Sequence, residues 1–227
     1  MNYDIFGGNL PAVAIRLEQG ESIFTESGGM TWMTDGIAME TNMKGGFMKG
    51  LGRMLSGESL FMATYTAARP NQEITIASSF PGEIKCLELM PGREYICQKN
   101  AFLCAQPTVE LSTELNKSVT GGLFGGEGFI LQRVKGSGLV FLEIDGSLRQ
   151  ITLGAGEKLK VDTGNVAAFE STVKYSVETV KGFKNVLFGG EGLFLTVLEG
   201  PGTVLLQTMT MPGFASRLIP YLPKSSN

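Results

Sequence analysis

Hydrophobic and polar residues alternate with a period of two through much of this chain. The stretch TVKYSVETVK places Val173, Tyr175 and Val177 on one face, as a half-buried β-strand does. The same alternation is found at Ala12–Leu17, Leu60–Thr66, Glu73–Ala77, Gly128–Val134, Leu139–Ile144 and Thr203–Met209. Pro-Gly and Asp-Gly turns separate these stretches, so the pattern predicts an all-β sandwich, barrel or prism.

The chain also repeats itself at an offset of 64 residues, because residues 89–143 align with residues 153–207 without a gap. The densest match is the hexapeptide LFGGEG, which occurs in both copies. A weaker third copy opens the chain, where LEQGESIFTES (17–27) resembles LMPGREYICQK (89–99). Internal repeats of this length indicate related structural units.

The repeat decides one ambiguous segment. Taken alone, Thr108–Lys117 fits a short helix as well as a strand. Its counterpart at 172–181 alternates with a period of two, and the first copy has Ile37 and Met39 in the same places. Equivalent segments should fold alike, so we predict strands in all three copies.

The predicted organisation is one all-β domain over residues 1–220, followed by a tail at 221–227. Its three repeats cover about 10–75, 82–145 and 146–210. A unit of about 65 residues buries too little apolar surface to be stable alone. The repeats are not separated by a Pro/Ser-rich or charged linker, so we expect them to pack about a pseudo-threefold axis.

Composition excludes several function classes. The chain has 227 residues, of which 43% are hydrophobic and 18% charged, with a net charge of −3. These values indicate a folded protein and argue against a dedicated nucleic-acid binder. Histidine is absent, which excludes Ser-His and Cys-His catalysis and imidazole metal ligands.

The three cysteines, Cys86, Cys97 and Cys104, have no CxxC spacing and have apolar neighbours, so we expect them to be core residues. The N-terminal segment lacks a basic stretch followed by an apolar one, and no apolar run approaches the ~20 residues that span a bilayer. We therefore expect a cytoplasmic protein.

Four segments together resemble a bacterial protein family. They are LSGESLFMATYTA (55–67), GGLFGGEGFILQRVKGSG (121–138), VDTG (161–164) and FGGEGLFLTVLEGPGTVLLQT (188–208), within a similarity that spans about residues 5–217. The family is related to the mitochondrial protein named for altered inheritance of mitochondria. Its fold is described as similar to that of the tryptophan RNA-binding attenuator protein (TRAP). The resemblance implies an all-β, TRAP-like fold of three related units, and it implies no enzymatic activity, cofactor or catalytic residue.

One glutamate recurs in the glycine-rich motif of every copy, as Glu58, Glu127 and Glu191. We expect each carboxylate to accept backbone N–H bonds of its own turn. The alternative is that threefold symmetry brings the three together as ligands of a hard cation such as Ca²⁺ or Mg²⁺. The motif leads into a strand and not into a helix, so we do not predict a phosphate site.

The first copy carries an insertion, NMKGGFMKGLGRMLSG (42–57), that has no counterpart in the others. On a helical wheel its apolar residues cover one face, with Lys49 and Arg53 opposite. We expect a lid whose apolar face packs on the protein. The alternative is a docking segment for an anionic membrane or a protein partner. The residues of this possible interaction segment are Phe47, Met48, Lys49, Leu51, Arg53 and Met54.

These observations favour a non-catalytic assembly or scaffold protein that associates with itself as a homo-oligomer. The alternative is a small-ligand, metal or RNA-binding module. RNA binding needs a basic stripe with stacking aromatic residues, and the repeats carry only scattered Lys and Arg, so we expect no nucleic-acid partner. We expect neither a catalytic residue nor a cofactor.

Overall fold

The computed structural model describes residues 1–26, 28–42, 62–114, 130–179 and 194–223. Within these ranges, nearly all regular structure is β-strand, with one short α-helix and three 3₁₀ turns. The prediction of an all-β protein is confirmed. The insertion 42–57 and the glycine-rich motifs fall almost wholly outside the described residues.

The first half of the chain contributes most strands of two sheets. Sheet A has the order β1-β2-β7-β4 and contains β1 (Asn2–Phe6), β2 (Ala12–Leu17), β7 (Gln72–Ala77) and β4 (Met30–Met33). Sheet B has the order β5-β6-β3-β10-β13-β8 and contains β5 (Ile37–Asn42), β6 (Met62–Ala67), β3 (Ser22–Glu26), β10 (Phe102–Ala105), β13 (Gly138–Asp145) and β8 (Gly82–Leu89).

The second half contributes most strands of two further sheets. Sheet C has the order β11-β12-β9-β16-β19-β14 and contains β11 (Val109–Thr113), β12 (Leu131–Gly136), β9 (Tyr95–Gln98), β16 (Val166–Glu170), β19 (Gly202–Gln207) and β14 (Leu148–Leu153). Sheet D has the order β15-β18-β17 and contains β15 (Lys158–Asp162), β18 (Phe194–Glu199) and β17 (Lys174–Thr179). The segment that also fits a helix contains β11, so its prediction as a strand is confirmed.

The helix α1 (Met211–Leu218) was not predicted. Thr210 caps its N-terminus, because the threonine hydroxyl accepts the Gly213 backbone N–H at 3.1 Å. Pro212 stands in the first turn, where its missing N–H leaves no hydrogen bond unmade. A 3₁₀ turn at Ile219–Tyr221 follows, and two others lie at Lys99–Ala101 and Thr163–Asn165.

Contacts along the chain divide it into two compact units. Unit 1 consists of Met1–Arg93, Asn100–Leu111 and Val134–Glu143, and unit 2 of Glu94–Lys99, Ser112–Arg133 and Ile144–Asn227.

The core of unit 1 is formed by the buried faces of its strands. Val13, Ile15 and Leu17 of β2 alternate along the strand, and all three are fully buried. Ile74 and Ile76 of β7 stand opposite Ile15 and Val13 in the antiparallel register and are equally buried. Direct cross-strand neighbours point to the same face of a sheet, so period-two alternation places both sets in one core.

Unit 2 has an apolar core of its own. Phe169 of β16 is fully buried together with Leu198 of β18 and Val204 of β19. The Tyr175 ring packs against Phe169 with their centroids 5.2 Å apart. Burial of large side chains contributes roughly 1.5–3 kcal/mol each to the stability of such a core.

Two buried threonines lead to opposite predictions about stability. The Thr75 hydroxyl is buried and makes no hydrogen bond within the part of the chain that the structure describes. We expect Thr75→Val to raise the free energy of unfolding by about 1 kcal/mol, because it removes an unsatisfied polar group at constant shape.

Thr25→Val is the matched control, since the Thr25 hydroxyl is also buried but donates to the Leu103 carbonyl at 2.6 Å. This change should lower the free energy of unfolding by about 1 kcal/mol. Urea unfolding of both variants measures the two effects. A loss of stability in Thr75→Val equal to that in Thr25→Val would contradict the prediction.

Candidate functional site

The residues singled out in the sequence lie outside the described part of the chain. They are the three repeated glutamates, Glu58, Glu127 and Glu191, and the residues of the possible interaction segment, Phe47, Met48, Lys49, Leu51, Arg53 and Met54. Whether the carboxylates converge, and whether 42–57 is a lid or a docking segment, therefore stay predictions.

Glu143, a buried carboxylate of unit 1, stabilises a loop. Glu143, at the end of β13, accepts the Ser79 backbone N–H at 2.9 Å and the Ser79 hydroxyl at 2.7 Å. These bonds hold the loop Ser78–Phe80, in which the Ser78 hydroxyl also donates to the Phe80 carbonyl at 2.8 Å. The Glu143 carboxylate is used to fix this loop.

A buried amide occupies the aligned position in unit 2. Gln207 stands 64 residues after Glu143. Its side chain donates to the Gly164 carbonyl at 3.0 Å and accepts the Asp145 backbone N–H at 3.2 Å. Both aligned side chains therefore satisfy backbone groups of turns, as buried polar groups generally must.

Arg133 forms the largest described ion-pair cluster of unit 2. Its guanidinium lies 2.7 Å from the Glu94 carboxylate and 3.0 Å from the Glu114 carboxylate. The hydrogen bond to Glu114, followed by that to Glu94, raises the Arg133 pKa, which burial by itself would lower. Paired carboxylates held by an arginine connect strands and are poorly placed to act as a general acid and base.

The three cysteines lie in buried or half-buried positions. Cys97 and Cys104 are buried, Cys86 is half-buried, and all three are free thiols. Burial raises the pKa of the Cys97 thiol to about 12, and it also raises the pKa of Cys86 and Cys104. Such thiols are protonated at neutral pH and unreactive. The described ranges contain no group of three or more His, Cys, Asp or Glu side chains that could hold a metal ion.

One surface that could bind a partner lies along β1, an edge strand of sheet A among the described strands. All five β1 residues are exposed, and within the described ranges β2 is the strand's one neighbour in that sheet. Tyr3 anchors it through an edge-to-face contact with Phe141, with centroids 5.0 Å apart. On the opposite face, the Phe6 ring approaches Trp32 at 6.4 Å, and Trp32 is 52% exposed.

Two shallow depressions flank this strand. The larger, of about 370 Å³, is lined among others by Asp4, Phe6 and Ala14. The smaller, of about 230 Å³, is lined among others by Phe6 and Ile84. Phe6 belongs to both, so the depressions lie side by side along β1. The sequence NYDIF alternates only briefly, so neither the strand nor its position at an edge was predicted.

A second exposed apolar surface is the C-terminal helix of unit 2. No residue of α1 is buried, and its large apolar residues Met211, Phe214 and Leu218 repeat at helical spacing. Ile219 and Tyr221 in the following 3₁₀ turn are also exposed. Apolar clusters of this kind mark surfaces where proteins associate.

Comparison with known proteins agrees with the sequence resemblance. Residues 3–209 match the model of the family described as mitochondrial biogenesis AIM24. The chain belongs to this family. An AIM24-family match over nearly the whole chain carries no catalytic assignment, and the likeness to TRAP stays a prediction.

Two streptococcal proteins are similar to this AIM24-family chain over nearly its full length. One is an uncharacterized protein of Streptococcus pyogenes serotype M6, 31% identical over 225 residues, which cover 96% of this chain and 89% of the relative. The other is a Streptococcus pyogenes protein whose crystal structure was determined by a structural genomics consortium. It superposes with a TM-score of 0.79 at 27% identity, covering 97% of this chain and 99% of the other. The shared fold is thus established.

A helix that crosses a bilayer needs about 20 consecutive, predominantly apolar residues. None of the described helices is long and apolar enough to cross a membrane.

Proposed function

We propose that this AIM24-family protein is a non-catalytic assembly protein that associates with itself. In this proposal the chain is built from three equivalent six-strand repeats about a pseudo-threefold axis. The observation that carries the functional part is what three buried or half-buried polar side chains bind. Glu143 and Gln207 fix turns, and Arg133 holds two glutamates. These groups stabilise the fold, which favours a scaffold over an enzyme.

The order in which the strands pair supports the equivalence of the three repeats. After β1, the strands of the described ranges fall into three runs of six: β2–β7, β8–β13 and β14–β19. In each run the sixth strand pairs with the first and the third, and the fifth pairs with the second and the fourth. Chance agreement of four pairings in three runs is improbable, so a repeated unit is the simplest explanation.

An irregularity in the ladders supports it further. The pairing of the third strand with the sixth shifts register once in each run: between Met30 and Trp32, between Phe102 and Cys104, and between Val166 and Ala168. Register shifts of this kind are specific local features and are kept within related structures.

Successive runs are linked by pairing of the second strand of one run with the third strand of the next, and these links also correspond. In one link Cys104 stands opposite Thr25, and in the next Ala168 stands opposite Cys97. Cys104 and Ala168 are 64 residues apart, as the alignment requires. The register of one link therefore predicts the register of the other.

Self-association is supported by the large apolar side chains that the described residues leave exposed. They are Tyr3, Ile5, Phe6, Leu10, Trp32, Met39, Met90, Met211, Phe214, Leu218, Ile219, Tyr221 and Leu222. Burying such side chains between copies removes apolar area from water, which stabilises association by about 25 cal/mol per Å². The alternative, a small-ligand, metal or RNA-binding module, predicts a bound molecule in place of a second copy. A peripheral membrane or protein partner at 42–57 stays compatible with either.

Native mass spectrometry of the purified protein tests the proposal. We expect a mass of two or more 24.3 kDa chains, without a retained metal ion, small molecule or nucleic acid. Sedimentation velocity at several concentrations should give the same multiple in solution. A monomer at every concentration, or a monomer with a stoichiometric ligand, would contradict the proposal.

A further inference from the structure

The strand β1 stands outside the three runs of six and presents an open edge. It is itself a strand added to β2, the first strand of its run. All of its residues are exposed, and it has one neighbour in sheet A among the described strands. Edge strands of this kind are templates for the addition of a further strand.

The two faces of β1 carry different side chains. This difference determines which side chains an added strand would need. Asp4 stands opposite Ala14, Ala14 opposite Thr75, and Thr75 opposite Trp32. Asp4 therefore lies on the same face of sheet A as Trp32, which is 52% exposed. Tyr3 and Ile5 belong to the opposite face, where Ile84 lines the smaller depression. An added strand would therefore alternate between a polar position beside Asp4 and apolar positions on either side of it.

The charges around this edge favour a cation in the polar position. Asp4 makes no ion pair with the described residues and lies at the centre of the strand. Arg16, beside it, is paired with Glu73 at 3.4 Å. The nearby strand β8 contributes two exposed glutamates, at positions 83 and 88, and one half-buried lysine, at 85. Counted together whether paired or not, these four carboxylates, with Asp4 and Glu73 included, outnumber the two cations Arg16 and Lys85.

The same aspartate disfavours a second copy of β1 as the added strand. In the antiparallel register centred on Asp4, two copies would place one Asp4 directly opposite the other. Like charges in direct cross-strand positions are destabilising. A lysine there instead gains an ion pair, and its aliphatic stem can lie against Phe6, which lines both depressions.

We propose that the β1 edge binds an extended segment of a protein partner as an added strand, with a lysine or arginine opposite Asp4 and β-branched apolar residues on either side. The inference rests on the proposed assembly function and names the kind of partner. It concerns unit 1 alone.

Two capped peptides test this inference on the full chain: Thr-Thr-Val-Lys-Val-Thr-Thr and its twin with glutamate in place of lysine. Trp32 is the single tryptophan and lies beside Phe6, so its fluorescence reports binding. Amide shifts in ¹⁵N NMR spectra locate the site. We expect the lysine peptide to bind about tenfold more tightly than its twin and to shift the amides of Asn2–Phe6.

Asp4→Asn should reduce this preference to about twofold or less, because it removes the charge opposite the lysine. The matched control is Asp35→Asn, which makes the same change at an exposed carboxylate that pairs with Arg69 at 2.7 Å. This control should keep the tenfold preference. Thermal unfolding of both variants checks that the fold is kept.

Three results would overturn the inference. They are equal binding of the two peptides, shifts confined to strands other than β1, and protection from hydrogen exchange, before peptide is added, of those β1 amides that do not bond to β2. The last would mean that a second copy already occupies the edge. If the peptides fail while native mass spectrometry gives an oligomer, the edge inference falls and the assembly proposal stands. A monomer that binds the lysine peptide at β1 would support the edge inference and contradict self-association.

Discussion

Phe141→Ala is expected to lower the free energy of unfolding by about 4 kcal/mol. Phe141 is fully buried in the core of unit 1 and stands opposite Cys104 in sheet B. Its ring also makes an edge-to-face contact with Tyr3 of β1. The substitution leaves a cavity in the core and removes the aromatic anchor of the edge strand, so β1 amides should also exchange faster.

Trp32→Ala is the control for this prediction. Tryptophan is the larger side chain, but Trp32 is 52% exposed, so its removal should cost only about 1 kcal/mol. Chemical denaturation of both variants, with thermal unfolding as a second measure, gives the comparison. Equal losses, or a larger loss in Trp32→Ala, would mean that the described core of unit 1 is incorrect.

Gly136→Ala is expected to destabilise the protein by about 3 kcal/mol or to prevent folding. Gly136 ends β12 with φ +115°, a conformation that residues with a Cβ rarely adopt. A Cβ at this position would also meet the Thr108 carbonyl oxygen, a backbone atom that cannot rotate away. Backbone strain and steric overlap therefore act together.

Gly92→Ala separates the two causes. Gly92 also has positive φ, +86°, but an added Cβ would meet no atom within 4 Å. Gly92→Ala should therefore lower the free energy of unfolding by the conformational cost alone, about 1 kcal/mol. Melting temperatures of both variants, measured by circular dichroism, test the difference. A Gly136→Ala protein as stable as Gly92→Ala would show that Thr108 does not crowd this turn.

Most of the secondary structure could be predicted, because period-two alternation is strong wherever a strand has one buried face. Val13, Ile15 and Leu17 in β2 are the clearest case. The alignment of repeats added what local pattern could not, since it assigned β11 as a strand. The helix α1 was missed because Pro212 and Gly213 are poor helix formers in isolation and its apolar face is not buried.

The candidate site could be predicted much less well. Edge position depends on the order of strands in a sheet, and the sequence of β1 does not encode which of its sides is left without a neighbour. Asp4 is an ordinary surface aspartate in the sequence and becomes informative only through its register with Ala14. The residues that did stand out, including Glu127 and Lys49, lie outside the described part of the chain.

The central claim, that the three runs of six strands are equivalent, is tested most directly by the register of β9 with β12. In β15 and β18, Val161 stands opposite Thr196. Equivalence at an offset of 64 residues requires Cys97 to stand opposite Gln132. NOESY spectra of the labelled protein should show the cross-strand contacts of this pair. If Cys97 instead pairs directly with Leu131 or Arg133, the ladder is displaced by one residue, and the equivalence of the runs is contradicted.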